Sequence, residues 1–220
     1  MFKLLKDGYC YSPDYIGKKD ILTVDGKIYI IEDNIPHDFI KDLEIIDCSG
    51  KIVCPGFIDQ HVHIIGGGGE EGPKSCIPEL MLSDIISAGV TTVVGLLGFD
   101  GVARNVAGLL SKARSLQSEG LNTYIYTGNY SVPPVTLTGS ILSDIVFVDK
   151  IIGVGEIAIA DYRSTYPGVD DLKKIAAEAL KGGMLSGKAG VVHMHVGDGR
   201  GGLSLLFDLI NETDFPIEMF

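Results

Sequence analysis

The chain has 220 residues, 45% of them hydrophobic and 21% charged, which is enough apolar matter for one or two globular domains. A net charge of -11 argues against nucleic acid or an anionic membrane as the main partner. No unbroken apolar run of about 18 residues offers a membrane span, and Met1 to Asp7 lacks the apolar core of a signal peptide, so the expected location is cytoplasmic.

Residues 1 to 50 read as short strands and turns. Ile21 to Val24, Asp25-Gly26 and Lys27 to Ile31 form a strand, a tight turn and a strand, with Asp-Gly the dipeptide that such hairpins favour. Leu43 to Ile46 and Lys51 to Val53 repeat the pattern around Cys48-Ser49-Gly50. Cys10, Cys48, Cys54 and Cys76 lack Cys-x-x-Cys spacing and sit in or beside apolar runs, so they read as reduced, packed thiols. His37 follows Pro36 in a loop and receives no role. The sequence assigns this stretch no chemistry.

From Lys51 the rhythm becomes strand, loop, helix. A buried strand is expected from Ile52 to Ile65, and an amphipathic helix from Pro78 to Ala88 with Leu80, Ile85 and Ala88 inward. Strands follow at Thr91 to Leu97, Thr123 to Thr127, Ile151 to Ala160 and Val191 to Val196, with another beginning at Pro216. Helices are expected at Val102 to Ser118, Ile141 to Phe147, Asp170 to Lys181 (followed by Gly182-Gly183) and Leu203 to Ile210. Alternating units imply a parallel sheet with right-handed crossovers, either doubly wound or a barrel.

Polar residues close several of these strands, which is how a (β/α) barrel builds its active site. Strand alternation puts His61 and His63 on one face, with Asp59 one pleat earlier as an acceptor for a histidine ring. Two imidazoles so placed suit zinc and its neighbours. Glu156 is the only carboxylate of an otherwise apolar strand and needs a cation or a proton. Gly153 and Gly155 beside it suggest a bulge or a close backbone approach. Of the second pair, His195 lies nearer the strand end and is the expected ligand, with His193 a buried neighbour. Tyr130 and Arg163 follow other strands. Gly67-x-Gly69-x-x-Gly72 and Gly197-x-Gly199-x-x-Gly202 match a dinucleotide fingerprint, but no acidic residue ends a second strand to hold a ribose. Close approach of backbone amides to a ligand is the preferred use of these glycines.

The run Val53 to His63 resembles the metal-binding first barrel strand of the amidohydrolase superfamily. Ile64-Ile65-Gly66-Gly67-Gly68-Gly69-Glu70, Gly89 to Gly98, Thr127 to Pro133 and Asp161-Tyr162-Arg163-Ser164 resemble its isoaspartyl (β-aspartyl) dipeptidases. The resemblance implies an α/β fold: a partial (β/α)₈ TIM-like barrel over 51–220, with the N-terminal part of a small β-sandwich domain over 1–50. It implies a metallopeptidase that hydrolyses the isopeptide bond of β-aspartyl dipeptides through a hydroxide bridging two zinc ions, and a homo-oligomer. By the same resemblance, His61 and His63 hold one zinc, Glu156 takes the bridging place where the family commonly has a carboxylated lysine, and His195 holds the second. Tyr130 is the catalytic residue that polarises the scissile carbonyl. Glu70 binds the substrate ammonium, Arg163 binds a substrate carboxylate, and Gly68 gives a backbone contact. Phe99 stands where the family often has a small hydroxyl residue. The family pattern continues with a further histidine ligand, a second arginine and a metal-binding aspartate beyond Phe220. The chain therefore reads as about five of eight β/α units, with activity of the 220 residues alone not expected. The alternatives are another superfamily activity, as a dihydroorotase-like cyclic amidase or a deaminase, and a catalytically inactive fragment.

Overall fold

Asp25 and Gly26 both take positive φ, 48° and 78°, the backbone of a type I′ turn. They join β2 (Tyr15–Val24) to β3 (Lys27–Glu32), and β2 runs antiparallel to β1 (Phe2–Tyr11) on its other side. β4 (Leu43–Asp47) and β5 (Ile52–Val53) do not pair with each other; they lie successively along β1, both parallel to it. Leu4, Leu22 and Ile35 form the buried centre of this sheet, with Ile40 and Leu43 packed against them. The computed structural model describes all 220 residues in two units, Met1–Gly56 and Phe57–Phe220. The strand expected from Ile52 to Ile65 is thus two strands, β5 and β6 (Phe57–Val62), separated where Pro55 has no N–H to give a ladder.

The second unit is built on a five-stranded parallel sheet in the order β12-β11-β10-β9-β6. After β6, two-residue strands β7 (Gly67–Gly68) and β8 (Cys76–Ile77) pair as a small hairpin. There follow α1 (Leu82–Ser87), β9 (Val90–Gly95), α2 (Val106–Ser118), β10 (Asn122–Thr127) and α3 (Ile141–Phe147). β11 (Ile151–Ile159), α4 (Val169–Ser186), β12 (Val191–Val196) and α5 (Ser204–Asn211) complete it. Alternation sorts the side chains. Val62, Val93, Ile125, Val154, Ile157 and Val192 face the main core with the helix residues Leu109, Ala113, Leu172 and Ala176. Val94, Leu96 and Tyr126 form a separate cluster with Ile152 and Val191. The rhythm is that of a (β/α) barrel opened to five strands, and the sheet is curled, as the site geometry below requires.

Several helix ends differ from expectation. α1 is shorter than Pro78 to Ala88, beginning where the Asp84 carboxylate accepts from the Met81 amide, and Ala88 is exposed. α2 starts at Val106 because Asn105 caps it, accepting from the Gly108 amide at 2.8 Å, while Asp100 ties Val102 and Ala103 into a preceding turn. Gly182 and Gly183 do not stop α4. They let it press on α3 and on Gly190: a Cβ at Gly182 would lie 3.0 Å from Ile145, and one at Gly183 2.8 Å from Gly190. The helix ends instead at Gly187, in the left-handed conformation. The strand expected at Pro216 is a 3₁₀ turn over Ile217–Met219 that seats Met219 in the core. Of the four cysteines expected to be packed, only Cys10 and Cys48 are buried; Cys54 and Cys76 are exposed. No helix is long and apolar enough to cross a membrane.

Candidate active site

β6 and β12 are the two edges of the five-stranded sheet, four strand spacings apart, which in a flat sheet would separate them by roughly 19 Å. Yet His61 Nδ1 lies 2.9 Å from His193 Nε2. The sheet curls until side chains from its first and last strands touch, and the polar residues collect on that inner side.

Glu156 is the centre of the collection. In an unbroken strand it would share a face with Val154, which packs toward the helices. The register between β11 and β12 shifts between Val154 and Ile157, one extra residue entering β11, and this turns Glu156 to the inner side. Gly153 and Gly155 permit it: a Cβ at Gly153 would meet the Val191 carbonyl at 2.4 Å, and one at Gly155 the His193 carbonyl at 2.6 Å. The expected close approach at these glycines is present.

The two carboxylate oxygens of Glu156 face different histidines. Oε1 is 2.8 Å from His195 Nδ1, and Oε2 is 3.6 Å from His61 Nε2. Ligand atoms of His61, His63 and Glu156 all fall within 4.8 Å of one another. Glu156 is 1% exposed, and its Oε2 has no hydrogen-bond partner; neither does the buried Nδ1 of His63. A gap of 3.6 Å is too long for a hydrogen bond. It is close to the separation of about 3.4 Å between two ligand atoms on one tetrahedral zinc with bonds near 2.1 Å. Glu70 and Asp161 share the Arg163 guanidinium, which leaves Glu156 without a permanent positive partner, and a cation would balance its charge. The residues fit a metal. His195 stands just outside the trio, against the other oxygen of Glu156, so the carboxylate lies between the two histidine sets.

Around this core the remaining candidates form one network. Tyr130 Oη is 3.0 Å from His195 Nδ1, and the Tyr130 backbone is pinned by Gly98 O on one side and Ala158 N on the other. Burial, with the nearby Glu156 charge, raises the Tyr130 pKa, so its hydroxyl stays a donor. His195 Nε2 lies 2.8 Å from Asp161 Oδ2. Asp161 in turn receives Arg163 through Nε at 3.0 Å and Nη2 at 2.7 Å, a bidentate pair. Those hydrogen bonds hold the Asp161 carboxyl well below the usual range. Arg163 also donates through Nη1 to Glu70 Oε1 at 3.1 Å and lies over the Tyr130 ring. Burial lowers the pKa of both His63 and His193, keeping those imidazoles neutral, the form that binds metal.

Asp59 accepts from the His61 amide and does not hold a histidine ring. Gly68 lies in the β7–β8 hairpin, and there the glycines approach the chain's own backbone: a Cβ at Gly68 would meet the Ser75 carbonyl at 2.4 Å. Gly199 likewise packs on Ala160, and a Cβ there would meet its carbonyl at 2.4 Å. Phe99 meets the Tyr130 ring edge-on, 6.1 Å between centroids. Sequence reasoning did not foresee that Asp161 and His193 join this network, Asp161 against His195 and Arg163 and His193 against His61. The signals were present in Asp161-x-Arg163 at a strand end and in the second His-x-His pair.

No protein-family model matches the chain. Two crystal structures of β-aspartyl dipeptidase from Fervidobacterium islandicum, one in complex with a β-Asp-Leu dipeptide, are 51% identical to it with a TM-score of 0.96. They are matched over 100% of this chain and over 60% and 57% of theirs, so the chain spans under two thirds of their length. A dihydroorotase of Aquifex aeolicus is 49% identical over 67 residues, 29% of this chain and 15% of that protein. An enamidase described as a member of the amidohydrolase superfamily, 21% identical with a TM-score of 0.60, covers 95% of the chain and shares the fold.

Proposed function

We propose that this chain, which resembles the β-aspartyl dipeptidases of the amidohydrolase superfamily, carries the metal-binding and substrate-recognising half of a zinc-dependent isoaspartyl dipeptidase. The observation that carries the reading is Glu156, buried with one oxygen unpartnered and placed between His61 and His195. His61 and His63 would hold one cation, His195 the second, and Glu156 both, with nitrogen and oxygen donors of the kind zinc takes. When bound, such a pair supplies Lewis acidity toward the scissile carbonyl and a hydroxide nucleophile at neutral pH.

The rest of the chemistry belongs to the side chains. Tyr130, protonated and held beside His195, donates its O–H to the carbonyl oxygen as negative charge develops there. Glu70 and Arg163 form a pair of opposite charges on one wall of the site. A dipeptide zwitterion exchanges that internal pair for two of its own, ammonium to Glu70 and carboxylate to Arg163. Asp161 keeps Arg163 from following the substrate, since its two hydrogen bonds to the guanidinium remain. A flat cyclic amide has no ammonium for Glu70, which favours the dipeptide over a dihydroorotase-like substrate. Assembly of the working enzyme as a homo-oligomer and a cytoplasmic location belong to the same proposal.

The test is calorimetric titration of the zinc-loaded chain with β-Asp-Leu, dihydroorotate and hydantoin. Binding of β-Asp-Leu alone is expected. Preference for either cyclic amide would overturn the dipeptide reading, and a protein that retains no zinc on dialysis would overturn the metal reading.

A further inference from the structure

The sequence reading leaves His193 without a role, yet it touches His61 more closely than any other side chain does. We infer that His193 is a positioning residue for His61: its Nε2 accepts the Nδ1 proton of His61 and fixes the tautomer whose Nε2 lone pair faces Glu156. The inference rests on the metal site proposed above.

Two proton placements fit a nitrogen-to-nitrogen distance of 2.9 Å. In one, His193 donates and His61 keeps its proton on Nε2. That proton would then face Glu156 Oε2 across 3.6 Å, too far for a hydrogen bond, although Oε2 is buried and accepts nothing else. In the other, His61 donates from Nδ1 to His193, and its Nε2 presents a lone pair beside a carboxylate oxygen and His63. Lone pairs converging from two imidazoles and a carboxylate are what a cation requires, and a proton between them is what it excludes.

His193 is itself fixed. Its ring stacks on Tyr126 of β10, 5.1 Å between centroids and 12° between planes. Tyr126 is 4% exposed, so the platform is part of the packed interior. The His61 and His193 rings meet at 58°, 5.1 Å between centroids, which aims one nitrogen of each at the other instead of stacking the two faces. A metal-binding histidine usually gives its second N–H to a carboxylate, a backbone carbonyl or water. Here the carboxylate nearest in sequence, Asp59, is taken by the His61 backbone amide, and a second imidazole fills the place.

Long-range ¹H–¹⁵N spectra of the imidazoles in the metal-free chain, with zinc affinity measured by competition against a chromophoric chelator, test this. The wild type is expected to show His61 protonated on Nδ1. His193→Phe keeps a ring on Tyr126 and removes the acceptor; it should mix or reverse the His61 tautomer and weaken zinc roughly ten- to a hundredfold, as loss of such partners does. His193→Gln, whose amide oxygen can accept, should restore most of both. His61 protonated on Nε2 in the wild type, or an unchanged tautomer in His193→Phe, overturns the inference, and the first needs no variant to fold. Tautomers as expected in a wild type that binds no zinc would uphold the role of His193 while removing the metal reading.

Discussion

Asp20 in the N-terminal unit and Glu156 in the barrel unit are carboxylates buried equally, each 1% exposed. Their surroundings differ. Asp20 accepts the amides of Asp7 at 2.9 Å and Ile35 at 3.1 Å and the Lys6 ammonium at 3.3 Å. Burial alone would raise its pKa, but those donors outweigh burial and hold it below the usual value. Glu156 has one oxygen against His195 and the other against nothing that donates. The first carboxylate staples β1 and β2 to the segment after β3. The second is left half-satisfied, at a cost the fold bears only if a ligand later removes it. Equal burial with unequal satisfaction separates a structural carboxylate from one left open to a ligand.

The comparison breaks most decisively at the metal. Glu156→Ala should lower zinc affinity by on the order of a thousandfold, as loss of a shared ligand implies, with the folded state kept. Metal loading should also be indifferent to bicarbonate, since a glutamate needs no carbamate. Zinc content after dialysis, with and without bicarbonate, checks both, and two equivalents retained by the variant would remove Glu156 from the site.

Asp20→Ala should do the reverse, leaving zinc affinity unchanged while costing about 2–4 kcal/mol of stability through stranded buried donors. The sign with pH follows from its lowered folded pKa. Its stabilisation is fully present above the unfolded value of about 3.9 and is lost as pH falls from there through the folded value. Urea unfolding of wild type and Asp20→Ala should therefore show a smaller stability difference at pH 3 than at pH 7.

Smaller effects are expected at the Glu70–Arg163 wall proposed to meet substrate. Glu70→Gln and Arg163→Met should each weaken β-Asp-Leu binding by roughly ten- to a hundredfold, the contribution of one charge-assisted pair. Equal affinities by calorimetry would take the pair out of recognition. The least change is expected at His37, whose ring hydrogen-bonds the Ile35 carbonyl away from the histidine cluster; His37→Ala should shift stability by under about 0.5 kcal/mol and zinc affinity not at all.

Much of the site was legible because a strand has period two. His61 with His63, and His193 with His195, each share a face by spacing alone, and a lone carboxylate in an apolar strand marked Glu156. The helices read less well at their ends, where the deciding contacts were local caps at Asn105 and Asp84 or a tertiary crossing at Gly182. What stayed hidden were partnerships between strands. The 2.9 Å contact of His61 with His193 joins residues 132 apart through the curl of a whole sheet, which no local pattern encodes. Asp161 looked like part of a motif, and only the structure shows it gripping both His195 and Arg163.

The extra residue in β11 has a consequence for how this strand tolerates change in length. Val154 and Ile157 both face the helices although three positions separate them, so the inward and outward count is reset at Gly155-Glu156, as it is once before, between Ile151 and Gly153. A one-residue insertion between Ile157 and Ile159 would put every later side chain out of step, sending apolar groups to the inner surface and displacing Asp161 from His195. Removing Gly155 alone would leave Val154 outward, Glu156 inward and Ile157 outward, which is an ordinary strand. The bulge is therefore a place in β11 where the gene can lose a codon and still keep the carboxylate pointed at the histidines.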